Sequence, residues 1–260
     1  TLSAGTQIAT TTSDNTPSYV FTTNETGTVT TNIGAGIGSG GTVTSTGNNT
    51  VTFAELSDAT YSSKTITLTD TAGNASSLTL STFTVDTTAP TLSSVAIAST
   101  NSTTSLVKHG QDVVLTFTAS ETIGTPTVTF FSGGDSTDDG TISYVNTTGN
   151  TWTATYDVRY ADTEGAVTFS ISFSDSASNA GTAVTAVTNG STVTFDRTPP
   201  TITQVTAVPT PSNDTTPSYV YTTNEAGTIT SSLAFSTTTS ASTGSNQTIT
   251  FNTLSAGVYS

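Results

Sequence analysis

The chain has 260 residues, 32% hydrophobic and only 8% charged, with 18 acidic residues against 4 basic ones and a net charge of −14. So small an apolar share, diluted by Thr, Ser and Gly, builds two or three small cores and no single large one. Four scattered cations, Lys64, Lys108, Arg159 and Arg197, exclude a nucleic-acid partner, which needs clustered Lys and Arg. The absence of cysteine excludes a disulfide framework and a Cys-based zinc site, and no apolar run is long enough for membrane insertion in this segment.

Along the chain the apolar period is two, and no stretch carries a helical period. In the first ninety or so residues Val51 alternates with Phe53 and Ile66 with Leu68, between the turn signals Thr46-Gly47-Asn48 and Ala72-Gly73-Asn74. Next come Val113, Leu115 and Phe117, then Trp152, Ala154 and Tyr156, then Val167, Phe169, Ile171 and Phe173, each series separated by small polar residues. Such alternation predicts half-buried antiparallel strands, and about seven of them per segment of roughly 100 residues predict a two-sheet sandwich.

Residues 16–30, TPSYVFTTNETGTVT, return at 216–230 as TPSYVYTTNEAGTIT, differing only at Phe21/Tyr221, Thr26/Ala226 and Val29/Ile229. A period that long means that a pair of domains has been duplicated. VDTTAPTL (85–92) and FDRTPPTI (195–202) share Asp, Thr and Pro at matching places and read as linkers, since proline stiffens an extended connection. The expected domains are therefore 1–90, 91–200 and 201–260. Residues 250–260 match 52–62, but 64–86 have no counterpart after Ser260. The third domain is thus expected to be incomplete, lacking the last two strands, F and G. It should not fold alone, because Ile66, Leu68, Leu80 and Phe83 of the first copy lie on the strands without counterparts.

The set formed by TPSYVFTTNETGTVT, a Tyr-led strand ending in TDTAGN, and FTVDTTAPTL resembles the bacterial immunoglobulin-like repeats of very large extracellular adhesins. The middle segment, with VKHGQDVVLTFTASE, TWTATYDV and DSASNAG before VTFDRTPPT, is similar to a sister family found in the same arrays. Together the two resemblances cover essentially the whole chain. They imply an all-β fold of tandem Ig-like sandwiches, a non-catalytic role, an extracellular or cell-surface location, and calcium at domain junctions. Some relatives of the first family carry a cysteine pair; Lys64 stands near one such position, so that cross-link is lost.

With strands in sandwich order A to G, Glu25, Glu121 and Glu225 each follow strand B at the upstream end of a domain. Asp70 with Asn74, and Asp175 with Asn179, sit in the F–G turn at that same end. Asp58, Asp162 and Glu164 occupy E–F loops at the downstream end, and Asp86 and Asp196 leave it in the linkers. Asp86 and Asp58 should therefore face Glu121, Asp175 and Asn179 at the first junction. Asp162, Glu164 and Asp196 should face Glu225 at the second, and Glu25, Asp70 and Asn74 form the equivalent set in the first domain. Two carboxylates about 4 Å apart repel by roughly 4 kcal/mol at an effective dielectric of 20, so such clusters favour a cation. Oxygen donors without His or Cys suit calcium (Ca2+), which takes six to eight oxygens in irregular geometry. The plainer reading of D-x-A-x-N is a tight turn in which Asp and Asn bond their own backbone. DSTDD (135–139) reads as a solvated acidic loop.

His109 has neither a second His nor a Cys to work with and reads as a surface residue, Trp152 as a core anchor, and Tyr61 and Tyr259 as hydroxyl pins for neighbouring loops. The whole predicts a structural repeat segment of a bacterial adhesin or surface fibre that supplies reach and calcium-dependent stiffness. Its partners are neighbouring repeats or copies of itself; any host or surface ligand would be bound by other parts of the protein. The rival is a subunit of a self-assembling filament or sheath completed by strand exchange, since the edges are Thr-rich and almost free of the Lys that blocks edge pairing.

Overall fold

In the computed structural model, which describes residues 1–137, 141–236 and 240–259, every regular element is a β-strand. The chain forms two compact units, Thr1–Asp196 and Arg197–Ser260. The first begins with β1 (Leu2–Ala4), β2 (Thr11–Thr12), β3 (Ser18–Thr23), β4 (Gly27–Thr31), β5 (Ile37–Ser39), β6 (Thr42–Val43) and β7 (Gly47–Phe53). It continues with β8 (Ala59–Tyr61), β9 (Thr65–Thr69), β10 (Ala75–Thr79) and β11 (Phe83–Val85). Sheet β1-β3-β7-β5 faces β10-β9-β4-β6 across a common core, and a small sheet β2-β11-β8 closes the downstream end. Strands F and G are thus each broken in two, F at Ser62–Lys64, where Ser63 has a positive φ of 54°. Alternation puts Tyr19, Phe21, Val51, Phe53, Ile66 and Leu68 inside, with Leu80 and Phe83 beside them. The Tyr61 hydroxyl donates to Ser57 O at 2.9 Å, the loop pin its position predicts.

The second sandwich of this unit has β12 (Leu92–Ser99), β13 (Leu106–Val107), β14 (Asp112–Ala119), β15 (Thr127–Ser132) and β16 (Asp135–Ser136). It is completed by β17 (Ser143–Thr148), β18 (Thr151–Asp157), β19 (Gly165–Ser172) and β20 (Val193–Phe195). Sheet β12-β14-β18-β17 packs on β13-β20-β19-β15-β16 over Leu115, Phe117, Phe130, Tyr156, Ile171 and Phe195. Trp152 is buried in this core, and its Nε1 has no hydrogen-bond partner among the described residues. His109 is exposed, edge-on to Tyr160 at 5.8 Å. In the DSTDD stretch, Asp135 accepts the Thr163 hydroxyl at 2.9 Å, while Asp138 and Asp139 lie outside the described residues.

The second unit carries β21 (Ile202–Thr206), β22 (Ser218–Thr223), β23 (Gly227–Thr228), β24 (Ser240–Ala241) and β25 (Gln247–Thr250), in sheets β21-β22-β25 and β23-β24. Its pairings reproduce those of β1, β3, β7, β4 and β6. Tyr221 and Ile249 are buried, but Ile202 is 57% exposed, and an open apolar depression is lined by Ile202, Tyr219, Ile229 and Phe251. In the first sandwich the matching residues Tyr19, Val29 and Phe53 are covered by Ile66 and Leu68 of β9.

A pair of glycines reads out this difference. A Cβ on Gly27 would meet Thr69 O at 2.3 Å and Asp70 Cα at 3.2 Å, whereas one on the matching Gly227 meets nothing within 4 Å. Gly27→Ala should cost about 1–3 kcal/mol by overpacking. Chemical denaturation of this variant, followed in the first unit, checks the loss.

Candidate metal centre

Asp86 leaves β11 with its N–H donated to Thr12 O at 3.0 Å, and its carboxylate accepts Thr88 N–H at 3.1 Å. The linker after it is held by Asp58, whose Oδ1 takes the N–H (3.0 Å) and hydroxyl (2.9 Å) of Thr87 and whose Oδ2 takes the Thr88 hydroxyl at 2.9 Å. These bonds stabilise the ionised carboxylate and lower the Asp58 pKa, the Thr87 hydroxyl most, then that of Thr88. Asp58 thus anchors the linker, and the acidic cluster at the junction forms without it. The Thr-Thr pair after Asp86 was the available signal, and its meaning depended on Asp58 lying beside it.

On the second sandwich, Thr91 and Ser120 exchange two hydrogen bonds, Ser120 N–H to Thr91 O at 2.8 Å and Thr91 N–H to Ser120 Oγ at 3.0 Å. This places Glu121 at the mouth of the linker. Asp175 is buried in its turn: Oδ1 accepts the N–H groups of Ala177 (2.8 Å) and Asn179 (2.9 Å), and Oδ2 accepts Asn179 Nδ2 at 2.8 Å. Asn179 Nδ2 also donates to Asp86 O at 2.7 Å, a direct tie between the two sandwiches. The same clip occurs in the first sandwich, with Asn74 N–H and Nδ2 bonded to Asp70 at 2.8 and 2.9 Å. That clip lowers the Asp70 pKa, the Asn74 side chain contributing most. The tight-turn reading of D-x-A-x-N therefore holds in both places, and at Asp175 it also aims a carboxylate.

Carboxylate oxygens of Asp86, Glu121 and Asp175 all lie within 4.8 Å of one another, an acidic cluster that could hold a metal ion. Burial raises the Glu121 pKa, and the charges of Asp86 and Asp175 push it the same way. The donor set is all hard oxygen, which fits calcium and does not fit zinc or copper. Three carboxylates offer at most six oxygens, several already accepting hydrogen bonds, so water would complete the coordination shell.

The remaining expected residues sit elsewhere. Glu25, Asp70 and Asn74 line one shallow cleft with Thr1 and Leu2. Asp162, expected at the second junction, is instead only 3% exposed and accepts the Tyr156 hydroxyl at 2.6 Å and Arg159 N–H at 2.8 Å. Burial and the Asp162 carboxylate both raise the Tyr156 pKa. Glu164 is half-buried behind Gly133. Asp196 ends the first unit with its N–H on Val107 O at 3.0 Å, and Glu225 belongs to the second, its Oε1 accepting Asn224 Nδ2 at 3.2 Å.

A family model described as bacterial Ig-like domain (group 3) matches residues 47–208. No curated protein matches the chain. Among solved structures it is similar to a tetra-tandem repeat in the extending region of a large adhesion protein, at 19% identity and a TM-score of 0.35 over 96% of this chain and 64% of that one. The chain thus spans about two thirds of that structure's length. It is also similar to a three-Ig structure of titin domains, at 8% identity and a TM-score of 0.45 over 98% of this chain and 89% of that one.

Because its folded-state pKa is raised, Glu121 costs stability above that pKa, and the cost vanishes as the pH falls below the ordinary Glu range. Asp58 runs the other way, its contribution being present above the ordinary Asp range and lost as the pH falls through its lowered pKa. Without divalent cations at neutral pH, Glu121→Gln should therefore raise the melting temperature of the first unit by about 1–2 °C. Calorimetric scans in chelator should show the gain at pH 7 and its disappearance in acid.

Proposed function

The chain belongs to the bacterial Ig-like domain (group 3) family, and on that premise we propose that it is a non-catalytic segment of an extracellular adhesin or surface fibre whose first joint is stiffened by calcium. Its work is reach and stiffness, and its immediate partners are the neighbouring repeats. The near-identity of 16–30 with 216–230 supports an array built by duplicating a pair of domains.

The observation that carries the calcium reading is the convergence of Asp86 from the first sandwich with Glu121 and Asp175 from the second. One ion bound there bridges two bodies that each have their own core, so it restrains their relative motion without being needed to fold either. The ion supplies charge neutralisation. The protein supplies the tether of Asn179 to Asp86 O and the clips that hold Asp175 and the linker in place.

Titration calorimetry on the whole chain should show calcium binding with a dissociation constant on the order of 10⁻⁴ to 10⁻³ M. Glu121→Gln should weaken the tightest site by about tenfold or more. Small-angle scattering should show less interdomain variation with calcium than with chelator, at unchanged circular dichroism. Binding that ignores Glu121→Gln, or chelation that unfolds the sandwiches, would contradict the proposal.

A further inference from the structure

The stretch between β19 and β20 does more than connect them. It runs along the outer edge of β12: Thr188 N–H donates to Val95 O at 2.9 Å, Val95 N–H to Thr188 Oγ1 at 2.9 Å, and Ile97 N–H to Ser191 Oγ at 2.9 Å. These bonds satisfy the backbone groups of a strand edge that would otherwise be open to pairing. Between the two clamping residues lies Asn189-Gly190, where Asn189 is the one asparagine in the chain followed by glycine.

We propose that Asn189-Gly190 is a site of spontaneous deamidation and isomerisation, and that the change releases this clamp from β12. Both residues are exposed. Gly190 has no Cβ to shield its nitrogen, open space where one would stand, and a positive φ of 72°. Asn189 Oδ1 accepts Ser191 N–H at 3.0 Å, which holds the side-chain amide over the following peptide and polarises its carbonyl. The same N–H stabilises the oxyanion that forms when Cγ is attacked.

The reaction is hydrolytic and needs only water and a solvent base. The base removes the Gly190 amide proton, and the nitrogen attacks Asn189 Cγ. A C–N bond forms, the bond to the side-chain nitrogen breaks, and that nitrogen leaves as ammonia. Water then opens the five-membered imide at either carbonyl, giving aspartate or isoaspartate with no change of oxidation state. Isoaspartate adds a methylene to the main chain between Thr188 and Ser191, so both cannot keep their seats on β12, and either product adds a negative charge. Asn179 shows the opposite design, with Nδ2 held by two acceptors and Ala180 as the next residue.

The test is to age the whole chain in mildly alkaline buffer, map amide-to-acid conversion by peptide mass spectrometry with isoaspartyl methylation, and follow hydrogen exchange at Val95 and Ile97. Asn189 should convert about tenfold or more faster than Asn74, Asn101 or Asn179. Exchange at Val95 and Ile97 should rise with the converted fraction. Gly190→Ala and, as a second block, Asn189→Gln should each suppress conversion, and aging should leave exchange at both amides unchanged in these variants. Conversion of Asn189 no faster than that of the other asparagines overturns the proposal, as does conversion with unaltered exchange at both amides.

Discussion

Like-charge repulsion is the constraint around which the first joint is built. Asp86, Glu121 and Asp175 are brought within 4.8 Å by bonds that do not depend on one another: a backbone pairing to Thr12, the Thr91–Ser120 exchange, and the Asp175 turn. Two unit charges about 4 Å apart repel by about 1 kcal/mol in water and about 4 kcal/mol at an effective dielectric of 20. A hydrogen bond such as Asn179 to Asp86 O returns about 0.5–1.5 kcal/mol. Without a cation, that bond offsets only part of the repulsion among the three carboxylates. In the proposed reading, a cation bound there would turn the same carboxylates into a cross-tie between the two sandwiches.

The sandwiches on either side do not share that sensitivity. Each buries large side chains completely, Tyr19, Phe21 and Phe83 in one, Leu115, Phe117 and Phe130 in the other. At about 1.5–3 kcal/mol per buried side chain, these cores outweigh anything the joint contributes. Packing therefore decides whether a domain is folded, and the proposed role of the linker charges is confined to how it moves against its neighbour.

The parts of this architecture that depend on local pattern were legible in the sequence. Period two placed Val167, Phe169, Ile171 and Phe173 inside, and a Tyr at the start of strand F predicted the Tyr61 and Tyr259 hydroxyl bonds to Ser57 O and Ser255 O. Chain order along a sandwich was enough to bring Asp86 toward Glu121 and Asp175. What stayed hidden depends on pairing between distant segments. The parallel strands Thr11–Thr12 and Leu106–Val107 are too short to show a period, and the Thr188–Ser191 clamp has none. The partners of Asp58 and Asp162 do not follow from their loops alone, because a carboxylate's direction depends on nearby donors, Thr87 in one case and Tyr156 in the other.

The measurement closest to the centre of this account is the ionisation of Glu121 itself. A carbon-detected NMR titration of its side-chain carboxyl, run in chelator and again in saturating calcium, follows the charge cluster directly. The account predicts a pKa above the ordinary Glu value in chelator, because of burial and the charges of Asp86 and Asp175, and a pKa below it with calcium bound. An ordinary value in chelator, or one that calcium does not move, would contradict it.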